Sequence, residues 1–322
     1  MNRAPWIDGL RFLAAAAVFV FHTLYGRPVV PRPEITQAVA KYGYLGVVAF
    51  FMISGYVITL SAVGRTRLDF ARARVVRLWP AFLIAACLTE AARAYDGTAL
   101  PSTAFLANLT MVPHLLRMPY LDPVYWSLMY EIVFYAYVTL LLGAGFVDRL
   151  RWVCAAWLAL SLVNWFTLLP VAAQLLLDCA PYFTVGIAIY FTRHERRSVD
   201  WFLGLAALLL GVAYAVRSRT AMGTPPPNAI VVGAVIVLAA AALYWASAAT
   251  ARSSGWLIAL GGISYPLYLV HNEIGAVLEH RLPLAAAVLC ILALATAVWR
   301  IELMLRRRLH RGQTASSRVA GL

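Results

Sequence analysis

Read from its N-terminus, the chain is a succession of long apolar runs separated by short polar punctuation. Runs at 6–26, 42–63, 77–95, 124–144, 151–169, 171–192, 201–217, 228–249, 256–276 and 284–304 each approach the ~20 residues that a helix needs to cross a hydrocarbon core. Barrel strands would be shorter and would alternate apolar and polar positions. The pattern therefore predicts an all-α, polytopic membrane helical bundle of about ten transmembrane helices. Asp178 and Pro181 interrupt the sixth run, so residues 170–177 are alternatively a re-entrant or interfacial piece. The longest non-spanning stretch is 96–123, and GTPPPN at 223–228 is a Pro-rich loop. No fixed-period repeat and no separate soluble domain is visible. The first run follows Arg3 as a secretory signal would, but a cleaved signal would lack Arg11 and His22 in its core. An uncleaved first span is the expectation.

Composition agrees with lipid as the solvent. Hydrophobic residues make up 62% of the chain and charged residues only 13%, against roughly 25% in soluble domains. The formal charge of +13 is unevenly spread. Arg3, the group Arg65, Arg67, Arg72, Arg74 and Arg77, then Arg149, Arg151, Arg193, Arg196, Arg197, Arg252, Arg300 and the C-terminal arginines all fall on one side of a ten-pass topology. The positive-inside rule makes that side, and both termini, cytoplasmic. No basic face on a soluble domain is available for nucleic acid. The four cysteines all fall within predicted spans and form no CxxC pair. Small core side chains, rather than disulfide or zinc ligands, are their better account.

Ionisable groups inside the spans need a reason, because a charge near the bilayer centre costs at least ~2.5 kcal/mol. In WIDGLRFLAAAAVFVFH (6–22), Arg11 and His22 lie about 20° apart around the helix and roughly 16 Å apart along it. Asp8 shares the same stripe, which Ala15 and Val18 continue. The stripe reads as one wall of a polar channel rising from the cytoplasm. An Asp8–Arg11 ion pair at the boundary and a neutral His22 bonded to a neighbouring helix are the blander accounts. Ser54-Gly55 allows close helix approach or a bend. In ARARVVRLWPAF (71–82), Arg74 and Arg77 share a helical face, and paired guanidinium forks suit phosphate. Boundary arginines are also what orientation requires. Pro80 is expected to prevent a plain continuous helix there. Ser127, Glu131 and Tyr135 share a face at i,i+4 spacing, with Glu131 well inside its span. Pairing to an arginine would explain Glu131 structurally. His271 and Glu273 end the ninth run as a second intramembrane polar group, alternatively a helix-end cluster.

DGLR (8–11) with His22 eleven residues after Arg11, FFMISGY (50–56), RVVRLWP (74–80), WSLMYE (126–131) and ISYPLYLVH (263–271) occur in this order. Together they give a chain that resembles the acyltransferase family 3 integral membrane proteins. The resemblance implies transfer of an acyl group, commonly acetyl, from acyl-CoA to a hydroxyl of a carbohydrate or related envelope molecule. It implies a multi-pass protein of the bacterial cell inner (plasma) membrane. It assigns catalysis to His22 and the acyl donor to Arg11, Arg74 and Arg77, and places Ser54 and Glu131 in the conserved core. Asp8, Trp126, Ser127 and His271 are supporting positions. Glu131 is a candidate to orient His22, and Asp8 to support Arg11.

The expected partners are acyl-CoA as cosubstrate, a carbohydrate or lipid-linked glycan acceptor, and the lipid bilayer. No permanently bound cofactor and no metal is expected. Residues 1–304 form the expected membrane domain and 305–322 a short basic cytoplasmic tail. Some family members carry a soluble esterase-like domain, so here acceptor recognition is expected from the membrane part, its outer loops or a partner. Pro266 and Asn272-Glu273 depart from the family's last motif. A transporter or flippase for an anionic or glycan-linked substrate would use the same intramembrane charges, and a non-catalytic scaffold would use none of them.

Overall fold

The structure, a computed structural model, describes residues 5–26, 33–145, 149–221, 228–249 and 254–319. Arg3 and Arg252, used in the topology above, and residues 223–227 of the Pro-rich loop lie outside the described residues. So do the side chains of Arg219 and of the tail beyond Arg306.

Among the described residues every regular element is helical. The helices are α1 (Pro5–Phe21), α2 (Glu34–Ala40), α3 (Leu45–Ala62), α4 (Arg67–Tyr95), α5 (Ser102–Asn108), α6 (Tyr125–Gly143), α7 (Leu150–Thr167), α8 (Ala180–His194), α9 (Ser198–Ala221), α10 (Ala229–Ala248), α11 (Gly255–Val270), α12 (Glu273–Glu279) and α13 (Leu284–Val319). A π-helical turn, His22–Gly26, prolongs α1. Eight helical segments are long and apolar enough to span a membrane. The protein is an all-α polytopic membrane protein.

Two of the ten expected spans take a shorter form. The sixth run is not one helix: residues 168–179 are a chain of turns, and α8 begins only at Ala180. Asp178 and Pro181 make that break physically sensible, since Pro is favoured in the first helical turn, where no N–H is required. The ninth run divides at His271 into α11 and α12.

α8 owes its shortness to its position. Every residue from Ala180 to Thr192 is buried, so α8 is the central post rather than a lipid-facing helix. It meets α3 through two glycines. A Cβ at Gly55 would fall on the Phe183 carbonyl, and one at Gly186 would fall on that of Met52. In lipid, where apolar surface gains little by association, such backbone proximity is what holds helices together. α1 slots against α3 in the same way, with Gly43 and Gly46 on the Ala17 and Ala14 carbonyls.

α4 overturns one expectation. It runs unbroken for 29 residues through Pro80. Proline removes the ladder bond to the Val76 carbonyl, yet the helix continues, and neighbouring helices bond to the same turn. Arg306 of α13 donates to the Arg77 carbonyl, and the Tyr265 hydroxyl of α11 donates to that of Leu78 at 3.4 Å. The N-terminus starts ten residues before the expected span, where the Thr66 side chain accepts from the Asp69 amide at 3.2 Å.

α1 and α11 run parallel: Asp8 lies against Gly261 and Phe19 against His271. The first and ninth of ten alternating passes must have this sense, which leaves both ends of the bundle on one side.

Candidate active site

The carboxylate of Glu131 sits at the junction of α3 and α6. Ser54 donates to its Oε1 at 2.9 Å, and Tyr135, one turn on, donates to the same oxygen. The face expected from i,i+4 spacing therefore divides. Glu131 and Tyr135 pair with each other, while Ser127 turns to Tyr268 of α11, oxygen to oxygen 2.5 Å. Tyr268 also donates to the Val124 carbonyl at 3.0 Å.

On one side of Glu131 the arginines gather. Arg74 is buried, and its guanidinium lies 5.4 Å from the Phe70 ring centre and 5.9 Å from that of Tyr135. Its Nε has no hydrogen-bond partner among the described residues. A buried donor left unpaired costs about 1–3 kcal/mol, which an anionic ligand would recover. Arg11 forms the anticipated i,i+3 pair with Asp8 at 3.6 Å. Arg77, Tyr135 and Glu131 also act on it electrostatically. Arg306, paired with Glu302 of α13, completes this end; neither was singled out from the sequence. Arg11, Arg74, Arg77 and Arg306 outnumber the carboxylates of Asp8, Glu131 and Glu302, leaving a net positive, partly desolvated cluster.

On the other side lies His22. The π turn places its imidazole on the wall of a cavity of about 610 Å³. Its ring centre is 5.3 Å from that of His271, so the two intramembrane histidines are neighbours. Trp126 and Tyr268 line the same cavity. His271 is fully buried, with Nδ1 2.8 Å from the Tyr268 carbonyl. A carbonyl only accepts, so Nδ1 carries the proton.

The α11–α12 junction that carries His271 is fixed by Asp122, a residue that sequence reasoning passed over. Asp122 is fully buried and accepts from the Asn272 side chain at 2.6 Å, the Glu273 amide at 3.0 Å and the Val124 amide at 3.1 Å. Burial pushes its carboxyl up to about 6, against these hydrogen bonds. Glu273 in turn pairs with Arg93 at 3.2 Å. Asn272-Glu273, a departure from the family motif, is thus the partner of Asp122.

Between the two halves, Ala15 and Val18 are each 1% exposed. The α1 stripe is packed at Ala15, whereas Val18 belongs to the wall of the cavity that His22 lines. Beside it lies a separate small chamber of about 40 Å³ lined by Ser127, Glu131, Tyr265 and Tyr268. The chamber shares Tyr268, Val47 and Phe51 with the larger cavity.

The family model described as an acyltransferase domain matches residues 4–300. The chain belongs to the acyltransferase 3 family. It is a multi-pass membrane acyltransferase, and the match covers both histidines, the arginine cluster and Glu131. No curated protein and no solved structure matches the chain.

Proposed function

We propose that the protein is an O-acyltransferase. It moves an acyl group, acetyl in the first instance, from acyl-CoA to a hydroxyl of a carbohydrate or other envelope molecule. We place it in the bacterial plasma membrane with both termini cytoplasmic. The observation that carries this reading is the disposition of His22: it faces a ligand-sized cavity on one side of Glu131, and the buried Arg74, whose Nε has no hydrogen-bond partner among the described residues, lies on the other.

Acyl-CoA is cytoplasmic and polyanionic. Arg74 and Arg77 hold its phosphates by charge-assisted hydrogen bonds. Glu131 and Tyr135 keep these guanidinium groups and Arg11 in place, so Glu131 orients the donor half. The pantetheine arm passes between Glu131 and Tyr268, the small chamber there widening to admit it, and brings the thioester to His22. The His22 imidazole takes the proton of the acceptor hydroxyl. The oxygen attacks the thioester carbonyl, the C–S bond breaks, and the leaving thiolate takes the proton back from the imidazolium. His271, its Nδ1 donating to the Tyr268 carbonyl, orients His22.

Full-length protein in nanodiscs, labelled acetyl-CoA and an envelope glycan preparation test the assignment. Wild type transfers label, and His22→Ala loses about 10²-fold or more, the usual worth of a general base. Equal transfer by the two proteins rules His22 out as the base.

A further inference from the structure

The 610 Å³ cavity has a second wall that the chemistry above does not use. It is built by α7, α9 and the turns 168–179, and carries Asp178, Asn164 and Arg217. Resting on the acyl-transfer reading, we propose that this wall is the acceptor subsite and that it takes an uncharged, hydroxyl-rich ring of the hexopyranose kind.

The wall is constructed at some cost. Residues 168–179 abandon helical hydrogen bonding next to spanning helices, which is tolerated only where backbone is buried in protein or lines a cavity. Leu168 and Leu176 both have φ of 52°, a region that costs a non-glycine residue about 1–3 kcal/mol. Side chains of neighbouring helices hold the segment. Trp157 donates to the Leu175 carbonyl and Ser161 to that of Leu177, each at 2.7 Å. Asn164 fixes the segment at both ends, accepting from the Leu169 amide at 2.9 Å and donating to Asp178 Oδ1 at 3.1 Å. Asp178 is consequently presented to the cavity in one orientation.

Arg217 neutralises this wall and does not make it anionophilic. Its guanidinium is committed to Trp165, donating to the carbonyl at 2.5 Å and lying 4.6 Å from the ring centre, while its charge acts on Asp178. A carboxylate backed by a fixed cation accepts hydrogen bonds from neighbouring hydroxyls and repels a second carboxylate. Beside it, Trp126 and Tyr130 stand at 87° with ring centres 5.4 Å apart. They form an aromatic corner against which the C–H face of a sugar ring packs. A volume near 610 Å³ lies within the roughly 300–1,000 Å³ of small-ligand sites.

Calorimetry on the full chain in nanodiscs decides the matter, with methyl glucopyranoside and its uronate counterpart as probes and acetyl-CoA as a parallel titrant. Wild type should bind the neutral glycoside about tenfold or more tightly over the uronate, the worth of one hydrogen bond to a charged group. Asp178→Asn should lose about tenfold for the neutral glycoside and narrow the discrimination, with acetyl-CoA affinity unchanged. Arg217→Gln should penalise the uronate further, and it decides alone if Asp178→Asn no longer binds acetyl-CoA. Wild type that binds neither glycoside or prefers the uronate, or variants indistinguishable from wild type, overturn the subsite. Selective glycoside binding without acetyl transfer would instead sink the transfer reading and leave the subsite standing.

Discussion

Asp122→Asn probes the clamp behind His271, and its effect should depend on pH in a calculable way. Asp122 lies in the connector between α5 and α6, outside the spanning segments. Burial pushes its carboxyl up to about 6, whereas an unfolded chain titrates near ~3.9. The folded state therefore holds the proton more tightly. The associated stability is fully present below about pH 4 and is lost as pH rises to about 6, amounting to about 3 kcal/mol. Asparagine does not titrate. Its Oδ1 can still accept from a neighbouring donor, but its NH2 faces one of the two backbone amides, a loss of about 1–3 kcal/mol. At pH 4 the variant should therefore melt well below wild type. By pH 7 the gap should close or reverse, because only wild type has lost stability. At about 1–2 °C per kcal/mol for a chain of 322 residues, the two melting curves should converge by about 3–6 °C. Thermal unfolding followed by intrinsic fluorescence at pH 4, 5, 6 and 7 reads this directly. Parallel melting temperatures across that range would mean that Asp122 does not titrate there, and the account of the clamp would fail.

Two further outcomes follow from the geometry. Arg74→Lys should weaken acetyl-CoA binding about tenfold or more, because an ammonium cannot reproduce the planar fork on phosphate; calorimetric affinity equal to wild type would remove Arg74 from the donor site. Gly186→Ala should abolish the monodisperse peak in size-exclusion chromatography of detergent extracts. Its Cβ would strike the Met52 carbonyl and come within 2.7 Å of the Tyr56 amide, two backbone groups that cannot rotate away, so overpacking exceeds the usual ~1–3 kcal/mol. A normal peak would show that α3 and α8 can part without loss.

Several features were legible in the linear pattern. The length and apolarity of the runs announced a helical membrane protein, since those properties are set residue by residue against the thickness of a bilayer. Periodicity alone placed Asp8 beside Arg11 and Tyr135 one turn from Glu131. The ordered motifs pointed to the acyltransferase family, which the match over residues 4–300 bears out.

Other features depended on distant segments meeting. Pro80 lies inside an intact α4, and Arg306 and Tyr265, from helices far along the chain, bond to carbonyls of the same turn. His22 adjoins His271, and Glu131 is held by Ser54, through contacts whose sequence separation no local pattern encodes. Asp122 was invisible because its partners, Asn272 and Glu273, lie 150 residues and more away. Helical period and hydropathy report what one segment can do against a uniform solvent. Which carboxylate meets which donor, and which stripe is packed rather than wet, is decided only when the glycines of α3, α8 and α11 let particular backbones come together.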